Sequence, residues 1–140
     1  MGAVGAGADP KKLVLNDVCE HHCAQLRVRF PDAEVICGDI KLHKTQARVL
    51  AHKGQIALMG ASLNCQPGSD AANVHDPDDV RNDINEVVVA LASQVKPECL
   101  VVEDVVGFRH NQPDAYRRFT EQLEDVFKTV EVVVCNAKHA

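Results

Sequence analysis

What this chain lacks narrows its class first. No apolar run approaches the length needed to cross a bilayer, and the start has no basic-then-apolar-then-small layout of a secretory signal. A soluble, non-secreted protein is expected, with no membrane partner. Positive charge is short as well: 15 Lys and Arg stand against 20 Asp and Glu, for a net charge of −5. Clustered cations are what hold phosphates, so this chain is not expected to grip nucleic acid unaided. There is no basic import cluster, no internal repeat and no low-complexity tail. Aromatics are scarce, with no Trp and one Tyr, yet apolar residues make up 46% of the chain. At 140 residues it is expected to form one domain with a sizeable core.

Cysteine is not scarce. The six cysteines fall on expected strands and helices rather than in a loop-rich disulfide framework, so reduced thiols in an intracellular compartment are expected. Cys19, Cys23, Cys37, Cys99 and Cys135 sit in periodic apolar positions and read as small, inert hydrophobes. Cys65 differs, because its neighbours Asn64, Gln66 and Ser69 are polar loop formers. A reactive thiolate needs partial exposure and local positive potential, which backbone amides can partly supply. Nucleophile and bystander remain open for Cys65 on this context.

Periodicity predicts strands at 12–16, 34–37, 55–59, 99–103 and 129–134. Helices are expected at 19–29, with Cys19, Cys23, Leu26 and Phe30 inward, and more weakly at 42–51, with Val49 and Leu50 its clearest core residues. A helix at 80–95 carries the stripe Ile84, Val87, Val88, Leu91 and Val95. Another begins at Pro113, with Tyr116, Phe119, Leu123, Val126 and Phe127 on one face. A loop is expected from Gly60 to about Asp79. Strands alternating with helices imply an α/β fold with a doubly wound, mostly parallel sheet. The last expected strand has little sequence after it to cover an edge, which suggests part of something larger.

In such folds ligands gather at the carboxyl ends of the strands. Asp17 and Asp39 both stand there, and each can accept hydrogen bonds from a nucleoside's amine or hydroxyls. The competing role for Asp39, within Gly38-Asp39-Ile40, is a turn aspartate capping the next helix. Glu103 breaks the apolar run Cys99-Leu100-Val101-Val102 at a strand end. Partial desolvation there would let it hold a proton near neutrality; a plain solvent-facing glutamate is the alternative. Cys19-Glu20-His21-His22-Cys23 suggests a metal site only superficially. The histidines point away from the cysteine face, so no metal ligand set closes locally.

Taken in order, these segments resemble the catalytic domain of cytosine-5 DNA methyltransferases. Asn64-Cys65-Gln66-Pro67-Gly68-Ser69 is similar to the family's Pro-Cys-Gln-x-x-Ser loop. Glu103-Asp104-Val105, led in by Lys96-Pro97 and followed by Gly107-Phe108, is similar to its Glu-Asn-Val strand end. Gly38-Asp39-Ile40 matches directly, Arg81-Asn82 opens the intervening helix, and Asn136-Ala137 resembles the step ending the following strand. The Gly-rich first loop survives as a remnant, Gly2 to Gly7. The resemblance covers residues 1–140 as a single partial methyltransferase catalytic domain, incomplete at the C-terminal side. It implies the Rossmann-like fold of S-adenosylmethionine-dependent enzymes.

Carried over, the resemblance implies that the Cys65 thiolate attacks carbon 6 of a flipped cytosine and that Glu103 holds ring nitrogen 3, with Gln66 beside the nucleophile. Carbon 5 then takes the methyl of S-adenosylmethionine. Gly2, Gly5, Asp17, Val18, Asp39 and Ile40 are the implied cofactor contacts, Asp17 on the ribose and Asp39 on the adenine amine. The implied partner is DNA, with a missing C-terminal half or a partner subunit needed to complete the grip. The implied compartment is the nucleus in a eukaryote and the cytoplasm in a bacterium. Asn64 replaces the family's proline, Ser62 a usual glycine, and Asp104 an asparagine. These departures leave open a non-catalytic methyltransferase-like interaction module, and the missing target-recognition region leaves open an RNA cytosine-5 methyltransferase relative.

Overall fold

The computed structural model describes residues 7–63 and 83–135, which fall into two compact units, 1–53 and 54–140. Each is built around one pair of parallel strands.

In the first unit a 3-10 turn at Pro10–Lys12, capped by the Asp9 carboxylate, leads into β1 at Val14–Asp17. Helix α1, Glu20–Arg29, follows, then β2 at Glu34–Cys37 and α2 at His43–Leu50. The strands pair in parallel from Val14 opposite Glu34 to Asp17 opposite Cys37. Helix α1 starts where Asp17 Oδ1 accepts the Cys19 N–H at 2.8 Å. Glu20 in its first turn and Arg27 and Arg29 in its last complement the helix dipole. Its inward stripe is narrow, as the periodicity predicts: Cys23 is buried, Cys19, Leu26 and Phe30 are half-buried, and Val28 is exposed. Helix α2 departs from expectation, because Thr45 is its buried residue while Val49 and Leu50 are only half-buried. The backbone at Gly38 explains this. A Cβ there would stand 2.8 Å from Thr45 Oγ1, so the missing side chain is what admits the helix.

The second unit holds β3 at Leu58–Ser62, α3 at Asp83–Val95, β4 at Cys99–Glu103, a short α4 at Gly107–Asn111 and α5 at Pro113–Val126. Strands β3 and β4 run parallel, with Leu58 opposite Cys99 and Ser62 opposite Glu103. Met59, Ala61, Leu100 and Val102 turn toward a core of Leu63, Val88, Phe108, Ala115, Phe119 and Leu123. The alternate residues Leu58 and Val101 are exposed. Helix α3 buries Val88, Leu91 and Val95, members of its expected stripe, and ends at Lys96. Lys96 takes a left-handed φ of 55° and donates its N–H to the Ala92 carbonyl, and Pro97 then prevents continuation. Pro113 opens α5 at the position where its missing N–H costs nothing.

Three expectations need correction. Strand β3 lies three residues later than the apolar run suggested, because hydrogen bonding to β4 draws Gly60, Ala61 and Ser62 into the ladder. Thr129 to Val134 forms no strand among the described residues. Val132, Val133 and Val134 are exposed, since β-branched residues make a strand only where a neighbour pairs with them. Cys99 and Cys135 are exposed rather than buried. Among the described residues the architecture is α/β, with two parallel strand pairs, one in each unit.

Candidate functional site

The carboxyl edge of β3–β4 is where the sequence reading expects a nucleophile and an acid to meet. Pairing extends one step past the strand ends, since Leu63 donates its N–H to the Glu103 carbonyl at 3.1 Å. Leu63 is buried in the core, which anchors the point where the chain leaves β3. Cys65 is two residues further on. Cys65 and Gln66 lie outside the described residues, as do Gly2 and Gly5.

Glu103 itself is exposed and does not sit in the desolvated setting that its sequence position suggested. Its neighbour Asp104 does: burial pushes that carboxyl above the usual carboxylate range. The bond it accepts from the Val105 N–H at 2.7 Å opposes the rise, and the Glu103 charge adds to it. Directly beyond stands α4, whose Phe108 packs edge-on against Tyr116 and tilted against Phe119 of α5, at 5.7 and 6.3 Å between ring centres. That aromatic anchor fixes the segment following the Glu103 strand. The short helix had no legible signal, because five residues are too few to show a period.

The carboxyl edge of β1–β2 gathers the residues expected to meet a cofactor. Asp17 ends β1 beside Cys37, and Asp39 follows two residues later. Asp17 Oδ2 meets His22 Nδ1 at 3.2 Å while its Oδ1 takes the Cys19 N–H. Asp39 Oδ1 accepts the Lys41 N–H at 2.9 Å, and its carbonyl accepts that of Leu42, so the turn role weighed for it is realised. The second Asp39 oxygen is the one that a nucleoside amine would meet. Val18 is 69% exposed beside these carboxylates, and Ile40 is half-buried.

Sequence reasoning passed over Asn16. Its side-chain amide donates to the carbonyls of Ile36 and Gly38, both at 2.9 Å, and so ties β1 to the Gly38-Asp39 turn. An asparagine inside a strand is an available signal, since the residue type is depleted there. Cys37 donates to Glu20 Oε2 at 3.1 Å. Its thiol is pushed up to about 12 by hydrogen bonding with Cys23 and then with Glu20, which holds it protonated and unreactive. His21 and His22 are exposed while Cys23 is buried. Both carboxylates at this edge accept hydrogen bonds, and Gly38 lets the turn approach closely. That set of acceptors fits the amine and hydroxyls of an adenosine moiety, which donate.

A family model described as C-5 cytosine-specific DNA methylase matches residues 6–140. The chain is also similar to the Type II methyltransferase M.NgoMIV of Neisseria gonorrhoeae. The two are 32% identical over 102 residues, which is 72% of this chain and 31% of that protein. The chain thus spans about a third of that relative's length. No solved structure matches it.

Proposed function

Because the chain belongs to the C-5 cytosine-specific DNA methylase family, we propose that it carries the cofactor-binding and nucleophile part of a domain that methylates carbon 5 of cytosine in DNA. The observation supporting this most is the register of β3 on β4. It brings the exit toward Cys65 alongside Glu103, through Ser62 opposite Glu103 and the bond from Leu63.

Cytosine is inert at carbon 5 until a nucleophile adds at carbon 6. The Cys65 thiolate forms that bond, and the displaced electron density moves through the ring toward carbon 5 and nitrogen 3. Glu103, protonated, donates to nitrogen 3 and so prevents charge from accumulating on the base. S-adenosylmethionine, when bound, supplies an electrophilic methyl group. With the methyl on carbon 5, that carbon loses its proton to solvent, the Cys65 sulfur leaves as thiolate, and nitrogen 3 returns its proton to Glu103, which restores the ring. The target base must leave the duplex stack for this geometry, because carbon 6 is inaccessible within it. Gln66, next to the nucleophile, positions the loop or its substrate. Asp39 and Asp17 hold the adenine amine and the ribose, Val18 and Ile40 pack beside them, and the Gly2 and Gly5 segment lines the methionine end.

The non-catalytic alternative draws on one observation, the exposure of Glu103. The family description names DNA, and neither it nor the relative's name speaks for an RNA substrate. Transfer of label from S-adenosyl-[methyl-³H]methionine to cytosine-containing duplex DNA tests the reading, together with calorimetry against S-adenosylhomocysteine. Label that depends on Cys65, and heat that is lost in Asp39→Ala, are the expected results. Heat without label favours the non-catalytic module, and no heat at all removes the cofactor assignment.

A further inference from the structure

The part of the chain from Asp83 to Cys135 is acidic, with ten Asp and Glu against five Lys and Arg. Three of those five cations, Arg109, Arg117 and Arg118, stand within ten residues of one another, with His110 beside the first and Asp114 the sole acid among them. The fold gathers them further. Helices α4 and α5 meet at the Phe108–Tyr116–Phe119 cluster. Arg109, from α4, lays its guanidinium 5.9 Å from the centre of the Tyr116 ring on α5. Arg117 follows that tyrosine directly and reaches back to Asp114 Oδ1 at 2.8 Å. Arg109 and His110 are exposed, and the Arg117 side chain is 66% exposed. The corner is therefore cationic, rigidly backed by aromatics and open to solvent, in surroundings of opposite sign.

Its place matters as much as its charge. Helix α4 begins four residues past Glu103, a separation that an extended chain spans in about 14 Å at most. A base drawn toward the β3–β4 edge brings its flanking phosphates with it, and phosphate contacts orient a duplex without reading its sequence. We infer that the α4–α5 corner, through Arg109 and Arg117, is a phosphodiester-binding subsite that seats the DNA backbone beside the cytosine acted on at the Cys65–Glu103 edge. This rests on the methylase reading above. Guanidinium suits the role, since its fork matches phosphate oxygens and its plane stacks on tyrosine. Asp114 acts as a competitor that occupies Arg117 when no phosphate is present.

The test is anisotropy of a fluorescein-labelled, cytosine-containing duplex titrated with the whole chain at stepped potassium chloride. Each phosphate contact contributes about 0.9 to the slope of log affinity against log salt, so Arg109→Ala/Arg117→Ala should lower that slope by about 2. Arg109→Lys/Arg117→Lys keeps both charges and should keep the slope. This pair controls for any packing loss at Tyr116, as does the thermal midpoint. Asp114→Asn frees Arg117 and should tighten binding about twofold. An unchanged slope in the double alanine variant overturns the inference, as does the absence of salt-dependent duplex binding by the wild type. Tighter binding of single-stranded RNA of the same sequence, lost equally in the double variant, overturns the assignment to DNA. The two failures separate: absent S-adenosylhomocysteine heat with the slope effect intact removes the methylase reading, and intact heat with an unchanged slope removes the corner.

Discussion

At the scale of single residues, Gly38 and Asp104 show how one side chain sets the surroundings of a site. Adding a methyl at Gly38 drives it into Thr45 Oγ1, on a stiff β-branched side chain that is itself buried. Gly38→Ala should therefore cost about 1–3 kcal/mol in urea unfolding. Thr45→Ala in the same chain should recover part of that loss, and simple additivity of the two changes would refute the contact. Asp104 makes a pH-dependent statement. Its carboxyl is raised by burial, so the folded chain holds that proton at higher pH than the unfolded chain does. Stability from this group therefore rises as pH falls toward the ordinary carboxylate value, and at neutrality the half-buried charge works against folding. Asp104→Asn keeps an oxygen for the Val105 N–H and removes the charge. Its urea midpoint should exceed the wild type's at pH 7, with the gap closing near about pH 4. A gap that widens on acidification would contradict the cause assigned here.

Among the elements, legibility followed the strength of the period. Helices α3 and α5 present long apolar stripes, and Val88, Leu91, Val95, Phe119 and Leu123 of those stripes are buried, joined by Asn85, Ala92 and Ala115, which the stripes did not include. Strand β4 keeps its expected bounds, because Pro97 and Glu103 punctuate the apolar run between them. Strand β3 was displaced because Gly60-Ala61-Ser62 reads as a turn by composition. Hydrogen bonding to a neighbour decides strand register, and no local window contains that information. The segment 129–134 failed for the converse reason: its composition suits a strand and it has no pairing partner among the described residues. At the site, the carboxylates Asp17, Asp39 and Glu103 were legible from their strand-end positions. Asn16, which braces the Gly38 turn from 22 residues away, was not. The burial alternation on β3 gives a sharp comparison. Leu91→Ala on α3 should cost about 2–5 kcal/mol. Leu58→Thr, on the exposed strand face, should stay within about 0.5 kcal/mol. Comparable losses in thermal or urea unfolding would mean that the outer face of β3 is covered.

For the molecule as a whole, the residues proposed to act fall in two units. One carries the Asp17 and Asp39 edge, and the other carries β3, β4 and the path to Cys65. A net charge of −5 leaves little general affinity for a polyanion, so any hold on DNA depends on local cations such as those at the α4–α5 corner. The proposed thiol step draws on Cys65 and Glu103 of the second unit, and the proposed methyl donor on Asp17 and Asp39 of the first. Trapping the covalent species asks for both at once. The chain is incubated with S-adenosylmethionine and a duplex carrying 5-fluorocytosine, whose fluorine cannot leave as a proton does, and the product is resolved by denaturing mass spectrometry. The account predicts a covalent protein–DNA adduct on the peptide containing Cys65, absent in Cys65→Ala and strongly reduced in Glu103→Gln. An adduct that survives Cys65→Ala, or a wild-type chain that forms none, would contradict it.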